Sequence, residues 1–270
     1  MMQAHLAASN TKLTIKPVQH ASPTADTPAP ARLAGRSSSI DDADARIGPN
    51  AILRIREALE HQSRDSPDIA TDITGAEAVF AAAGLQHYLR DPPDAMVPED
   101  HVTALQDALR ASLCADDART INQDAGARTA RYLLTHRIPK PAQWIMRMLP
   151  AAASARFLIS AIGHHSWTFA GSGHFASQPN GKGINFSIQH CPYCRGNEPR
   201  AKPSREPNTD PDLETCSSHA PARSATPQCS YVASTFETLF RVLVHSDSVV
   251  TEVACEALGD EACLFEARWP

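Results

Sequence analysis

The sequence predicts an α+β fold, with N-terminal helices followed by a mostly antiparallel sheet that carries one packed helix and ends in a cysteine hairpin. Three observations lead there. Apolar residues recur at helical spacing through the first half of the chain, beginning with Ile52, Ile55 and Leu59. The alternation of Ile184, Phe186 and Ile188 marks a half-buried strand. Two β-rich runs flank Leu258-Gly259-Asp260, a glycine-containing hairpin signal.

Taken in order, residues 1–46 carry Pro17, Pro23, Pro28 and Pro30 among small and polar residues. Such a stretch buries too little apolar surface to offset the entropy of ordering it, so it is expected to be disordered. The folded domain, residues 47–270, opens at Ile47-Gly48-Pro49-Asn50, where Pro49 suits a first helical turn. A second helix over residues 75–83 is ended by Gly84. A third is opened by Pro98-Glu99-Asp100, with Val102, Leu105 and Leu109 on one face. Residues 116–137 read as a longer helix that Ile138-Pro139-Lys140-Pro141 breaks. Residues 142–162, with Trp144, Ile145, Met148, Leu149, Phe157 and Leu158 around an interruption at Pro150, read as buried core helices able to line an apolar pocket. Strands are expected at residues 165–170, 174–177 and 183–190. The proline-rich residues 196–227 read as a disordered insertion, tolerated because closure entropy grows only slowly with loop length. An amphipathic helix bearing Phe236, Leu239, Phe240 and Leu243 leads into the hairpin.

Composition narrows the functional classes. A net charge of −5 over 270 residues gives no basic footprint for nucleic acid. No apolar run is long enough to span a bilayer, and no secretory leader is evident. Seven cysteines without a leader point to the cytoplasm, where thiols stay reduced and clustered cysteines more often mean metal than disulfide.

Cys229, Glu252, Cys255 and Cys263 form the most suggestive constellation. With Gly259 at the tip, Cys255 and Cys263 fall opposite each other, close enough to share an ion. Three sulfurs and a carboxylate with no open position suit structural Zn²⁺. Glu252 and Cys255, three apart on a strand, converge only if a bulge or strand end intervenes. Spacing alone leaves metal binding and small buried hydrophobes equally open. Cys191-Pro-Tyr-Cys194 offers an alternative set, replacing Cys229 and Glu252 to give four sulfurs. Gly171-Ser172-Gly173 superficially matches a dinucleotide fingerprint, but Pro179-Asn180-Gly181 follows where a helix N-terminus is required, so it is read as a turn between strands. The His164-His165 pair, with Trp167 nearby and His174 and His190 on neighbouring strands, is either a junction with one solvated and one core histidine or a ligand site.

The hairpin Cys-Glu-Ala-Leu-Gly-Asp-Glu-Ala-Cys-Leu-Phe, Ile47-Gly48-Pro49-Asn50, residues 163–173, Cys194-Arg195-Gly196 and the helix after Cys229 together resemble the bacteriochlorophyll 4-vinyl reductase family, whose 4-vinyl reductase domain also occurs, zinc-bearing, in phenol-responsive activators. The resemblance covers residues 47–269 apart from the insertion. It implies a fold related to subunits of vesicle-tethering complexes, Zn²⁺ at Cys229, Glu252, Cys255 and Cys263, and a small ligand housed in the domain. It further implies a role in bacteriochlorophyll biosynthesis, at reduction of the 8-vinyl group (4-vinyl in older numbering) of divinyl protochlorophyllide. His164, His165, Trp167 and His174 then become candidate contacts to a Mg-tetrapyrrole. Vinyl reduction needs two electrons and two protons, and no donor site is visible in the sequence. A vinyl reductase with an unrecognised donor, a tetrapyrrole carrier or assembly factor working with other bacteriochlorophyll enzymes, and a ligand sensor are the three functional readings. A homodimer and a place beside the photosynthetic membrane are compatible with each.

Overall fold

Helix packing begins where Pro49 sets the first turn. A computed structural model describes residues 45–65, 75–181, 183–195 and 228–270. These all belong to one unit, residues 40–270. The expected disorder of residues 1–46 and of residues 196–227 falls, but for the ordered Ala45 and Arg46, outside the described residues. Strand β1 (Arg46–Ile47) pairs antiparallel with β2 (Val97–Pro98), and between them lie α1 (Asn50–Asp65), α2 (Gly75–Ala82) and the short α3 (His87–Arg90). Helix α1 buries Ile52, Ile55 and Leu59, as their spacing requires. Helices α4 (Glu99–Ser112) and α5 (Ala115–His136) follow, the first burying Val102, Leu105 and Leu109.

The sheet is built from β3 (His174–Asn180), β4 (Gly183–Gln189), β5 (Val249–Ala254) and β6 (Cys263–Arg268), all antiparallel in the order β3-β4-β6-β5. Helix α9 (Ser230–Leu243) covers one face of it with Phe236, Leu239, Phe240 and Leu243, and α5 packs on α9. Phe186 of β4 stacks between Phe236 and Phe265, at ring separations of 4.2 and 5.0 Å. Gly126 lets α5 and α9 approach: a Cβ there would lie 2.3 Å from the Tyr231 carbonyl oxygen. Beside it the Thr129 and Tyr231 hydroxyls share a buried hydrogen bond of 2.7 Å.

Two expectations need correction. Residues 165–170 are not a strand: Trp167–Ala170 forms a short helix, α8, because the Ser166 carbonyl accepts the amide of Ala170 and the Thr168 hydroxyl bonds back to the His165 carbonyl. The glycine turn that follows therefore joins a helix to β3 rather than two strands. Residues 142–162 do form two helices split at Pro150, α6 (Lys140–Met148) and α7 (Ala151–His164), and Met146, Leu158 and Ile159 are buried, but Trp144, Ile145, Met148, Leu149 and Phe157 are exposed rather than core. Strands β5 and β6 form the expected antiparallel hairpin. Residues 255–262 connect them through a 3₁₀ turn at Glu256–Leu258 and left-handed Gly259 (φ 99°), a conformation that glycine adopts without penalty.

Candidate functional site

Five cysteines meet at one end of the sheet. Cys191 and Cys194 sit on a turn after β4, Cys229 at the N-terminus of α9, Cys255 just past β5, and Cys263 at the start of β6. Each is at most 1% exposed. Neither these five nor Cys114, the other described cysteine, is in a disulfide. Sulfur–sulfur separations are 3.6 Å for Cys191 and Cys229, 3.3 Å for Cys194 and Cys263, 3.5 Å for Cys229 and Cys263, and 4.0 Å for Cys255 and Cys263. Glu252 joins them through a β-bulge. The ladder steps from Glu252 opposite Phe265 to Ala254 opposite Leu264, so Val253 is the extra residue and the strand turns there. The geometric obstacle between Glu252 and Cys255 is removed in this way.

Carboxylates hold the cysteine backbones in place. Glu252 accepts the Cys229 amide at 2.7 Å, Glu256 accepts the His190 and Cys191 amides at 2.6 and 2.7 Å, and Asp260 accepts the Cys255 amide at 2.8 Å. The Cys191–Cys194 turn is tied from the other side as well: Thr103 donates to the Pro192 carbonyl and Arg110 to the Tyr193 carbonyl. Buried Glu99 pairs with Arg195 at 2.6 Å and accepts the Ser172 amide. Sequence reasoning missed Glu256, Asp260 and the Glu99–Arg195 pair. Glu256 and Asp260 were visible as acids beside Cys255, but Glu256 serves a loop 65 positions away and nothing local announces that.

The cluster is electrostatically crowded. Hydrogen bonds from Cys191 and Cys229 hold the Cys194 thiol far below its ordinary value, whereas contacts with Cys191 and Cys194 raise Cys229 and Cys263. Burial raises Cys191. At Cys255 the upward push from Cys194 is outweighed by hydrogen bonds from Cys229 and Cys263, leaving it lowered to about 7. Burial, reinforced by Cys255, pushes the Glu252 carboxyl up to about 9. Among the described residues its buried Oε1 has no hydrogen-bond partner, a cost that a cation at that oxygen would remove. Tetrahedral thiolates about 2.3 Å from zinc stand about 3.8 Å apart, and the observed sulfur spacings bracket that value. The donor set therefore fits a structural metal, and the cluster can hold an ion. Two groups of four have all donor atoms within 4.8 Å of one another: Cys229, Glu252, Cys255, Cys263 and Cys191, Cys194, Cys229, Cys263. The alternative set anticipated from sequence paired Cys191 and Cys194 with Cys255 and Cys263; in the structure Cys229 takes the place of Cys255.

A second region is the inverse of the first. Helix α6 turns its polar Gln143 inward, where the side chain donates to the Leu134 and Ile138 carbonyls, and buries Met146 beside it. At helical spacing, Trp144, Met148, Pro141, Ile145 and Leu149 share an arc of about 140°, and all five are exposed. Trp144 is 65% and Met148 69% exposed, and Phe157 on α7 is 55% exposed. Residues 125–197, which contain both helices, hold eight Lys and Arg and no Asp or Glu, in a chain whose net charge is −5. One turn beyond Phe157 an open cleft of about 280 Å³ is lined by Ile159, Ser160, Gly163, His164, Phe175, Ala176 and Ser177.

Of the four candidate ligand contacts, only His164 lines this cleft; His165, Trp167 and His174 are exposed outside it. His174 faces His190, with ring centroids 6.4 Å apart. The His164 Nδ1 lies 2.7 Å from the Ser160 carbonyl oxygen. A carbonyl only accepts, so Nδ1 carries the proton and Nε2 keeps its lone pair. The Gly171 turn is closed to phosphate: a Cβ there would meet Glu99 at 2.0 Å, and strand β3 follows rather than a helix.

The fold and the buried thiol cluster define an α+β domain of the 4-vinyl reductase type, and the model of that domain family matches residues 214–269. The bacteriochlorophyll synthase 23 kDa chain of Cereibacter sphaeroides is 36% identical over 221 residues, covering 82% of this chain and 89% of that one. That of Rhodobacter capsulatus is 30% identical over 235 residues, 86% and 92% of the two chains. The chain belongs to their family, the bacteriochlorophyll 4-vinyl reductase family that its cysteine pattern resembles.

Proposed function

We propose that this protein acts in bacteriochlorophyll biosynthesis, at 8-vinyl reduction of divinyl protochlorophyllide, by binding the Mg-tetrapyrrole on the face formed by α6, α7 and β3. The role in the pathway follows from relatives named as chains of bacteriochlorophyll synthase. The observation that carries the binding reading is the inverted helix α6, with its apolar side in water and cationic residues around it. A flat, poorly soluble macrocycle bearing a carboxylate matches such a surface: the ring covers apolar side chains, and Arg or Lys takes the acid. His164, which lines the cleft and whose Nδ1 is engaged by the Ser160 carbonyl, leaves Nε2 as the atom suited to the central magnesium. His165, Trp167 and His174 stand further out and would touch the periphery.

Binding and presentation to other enzymes of the pathway is favoured over reduction by this chain alone. A cleft of about 280 Å³ lies below the usual range for ligand pockets, roughly 300–1,000 Å³, and leaves most of a macrocycle open to a second protein. The metal cluster belongs to the scaffold: Cys229, Glu252, Cys255 and Cys263 would hold a structural Zn²⁺ that locks β5 and β6 to the start of α9.

The test is a titration of the full chain with divinyl protochlorophyllide, followed by tryptophan emission and by the absorption of the pigment. Saturable quenching with a shifted pigment spectrum is expected. Quenching that never saturates would overturn the binding reading. Parallel anaerobic incubation with nicotinamide, flavin or ferredoxin-type donors should leave the vinyl group intact; appearance of the ethyl product from the purified chain would establish it as the reductase itself.

A further inference from the structure

We propose that the cysteine cluster holds two zinc ions, joined by the thiolates of Cys229 and Cys263. The argument is one of donor counting. A structural zinc takes four ligands, and the two groups of four in this cluster share two members, Cys229 and Cys263. Two four-coordinate ions need eight metal–ligand bonds. Cys191, Cys194, Glu252 and Cys255 supply one each, and the shared sulfurs supply two each, so the six residues close both coordination shells with none left over.

The positions of the sulfurs agree with this division. Cys229 and Cys263 lie 3.5 Å apart at the centre. On one side Cys191 is 3.6 Å from Cys229 and Cys194 is 3.3 Å from Cys263. On the other, Cys255 is 4.0 Å from Cys263, and the Glu252 carboxylate sits against the Cys229 amide. Each pair of terminal donors thus completes a separate group of four with the same central pair.

A single ion leaves part of the architecture without a purpose. Bound by Cys229, Glu252, Cys255 and Cys263, it would leave Cys191 and Cys194 fully buried and pressed against sulfurs that the ion already holds. Those two thiols are not there by default. Glu256 accepts two amides of their turn, and Thr103 and Arg110 bind two of its carbonyls. Within the turn the Arg195 amide donates to the Cys191 carbonyl at 3.1 Å, and both sulfurs belong to the same group of four donors. Charge leads to the same division. Five thiolates and a carboxylate carry six negative charges, which one Zn²⁺ offsets by a third and two offset by two thirds, in a site from which water is excluded.

Native mass spectrometry of the full chain purified with zinc, with elemental analysis of the same sample, should find two zinc ions per chain; one or none would overturn the proposal. The double variant C191S/C194S should fall to one ion and remain folded, whereas Cys263→Ser, which removes a shared sulfur, should lose both. Because a Cys263 variant can fail to fold, Co²⁺ loading of the wild-type chain provides an independent reading. Sulfur-to-cobalt absorption should rise linearly to two equivalents, with the paramagnetic signal at full loading well below twice that at half loading, since a shared thiolate couples the two spins. Saturation at one equivalent, or two equivalents with additive magnetism, would contradict the shared-sulfur cluster.

Discussion

The thiol cluster and the α6–α7 face handle reactive or insoluble surface in opposite ways. At the cluster, five sulfurs with at most 1% exposure are held by backbone hydrogen bonds to Glu252, Glu256 and Asp260. On α6 Trp144, Ile145 and Met148 stand in water, and the polar Gln143 is turned inward beside Met146. A site fixed from every side and closed to solvent suits a structural role. A face that leaves Trp144 and Met148 more than half exposed is the one proposed to take the pigment. What separates the proposed anchor from the proposed binding surface is therefore burial rather than residue chemistry, since both regions contain groups able to meet a metal.

Stripping metal should produce the largest effect. Structural zinc contributes on the order of 10 kcal/mol to small domains, so chelation should lower Tm by about 10 °C or more, a shift of several kcal/mol for a chain of this size. Thermal melts with and without chelator check this, and an unchanged Tm would place the cluster outside the stability of the fold. Glu256→Ala comes next. It removes the acceptor for the His190 and Cys191 amides, and loss of a group that orients metal ligands typically costs about 10- to 100-fold in affinity. Competition with a chromophoric chelator should show that weakening; wild-type affinity would mean that the turn holds its shape without Glu256.

The exposed region should respond in the opposite sense. The double variant W144Q/M148Q should leave stability within about 0.5 kcal/mol of wild type and leave zinc content unchanged, yet weaken pigment binding about tenfold or more, as judged by titration. A large loss of stability would show that these side chains are core after all. The smallest effect is expected of single histidines. His164→Ala should alter the spectrum of the bound pigment with little change in the fold, whereas His174→Ala should leave that spectrum as it was. The reverse result would move the metal-facing ligand from the cleft to the β3 edge.

Much of this contrast was legible in the sequence. Helical spacing located α1, α4 and α9 together with their buried residues, and alternation located β4. The need for a bulge or strand end between Glu252 and Cys255 also followed from strand geometry, and the ladder supplies a bulge at Val253. The orientation of α6 was not legible, because a periodic apolar stripe shows that a helix has two faces without saying which one meets the core. Trp144 and Ile145 would have been assigned correctly only by noticing that Gln143 has two carbonyls to satisfy inside. Nor could spacing reveal that Cys191 and Cys194 join Cys229, since 38 positions separate Cys191 from that partner. Residues 165–170 misled through their aromatic and β-branched side chains, whose strand preference gives way to a turn closed by Ser166 and Thr168.

Hydrogen exchange of the zinc-loaded chain, read by mass spectrometry with and without saturating divinyl protochlorophyllide, tests the division of labour most directly. Amides of residues 140–165 and 174–177 should become protected when pigment binds, while those of residues 229–243 and 249–268 exchange as slowly as before. Protection centred on the cysteine cluster, with the α6–α7 face unchanged, would contradict it.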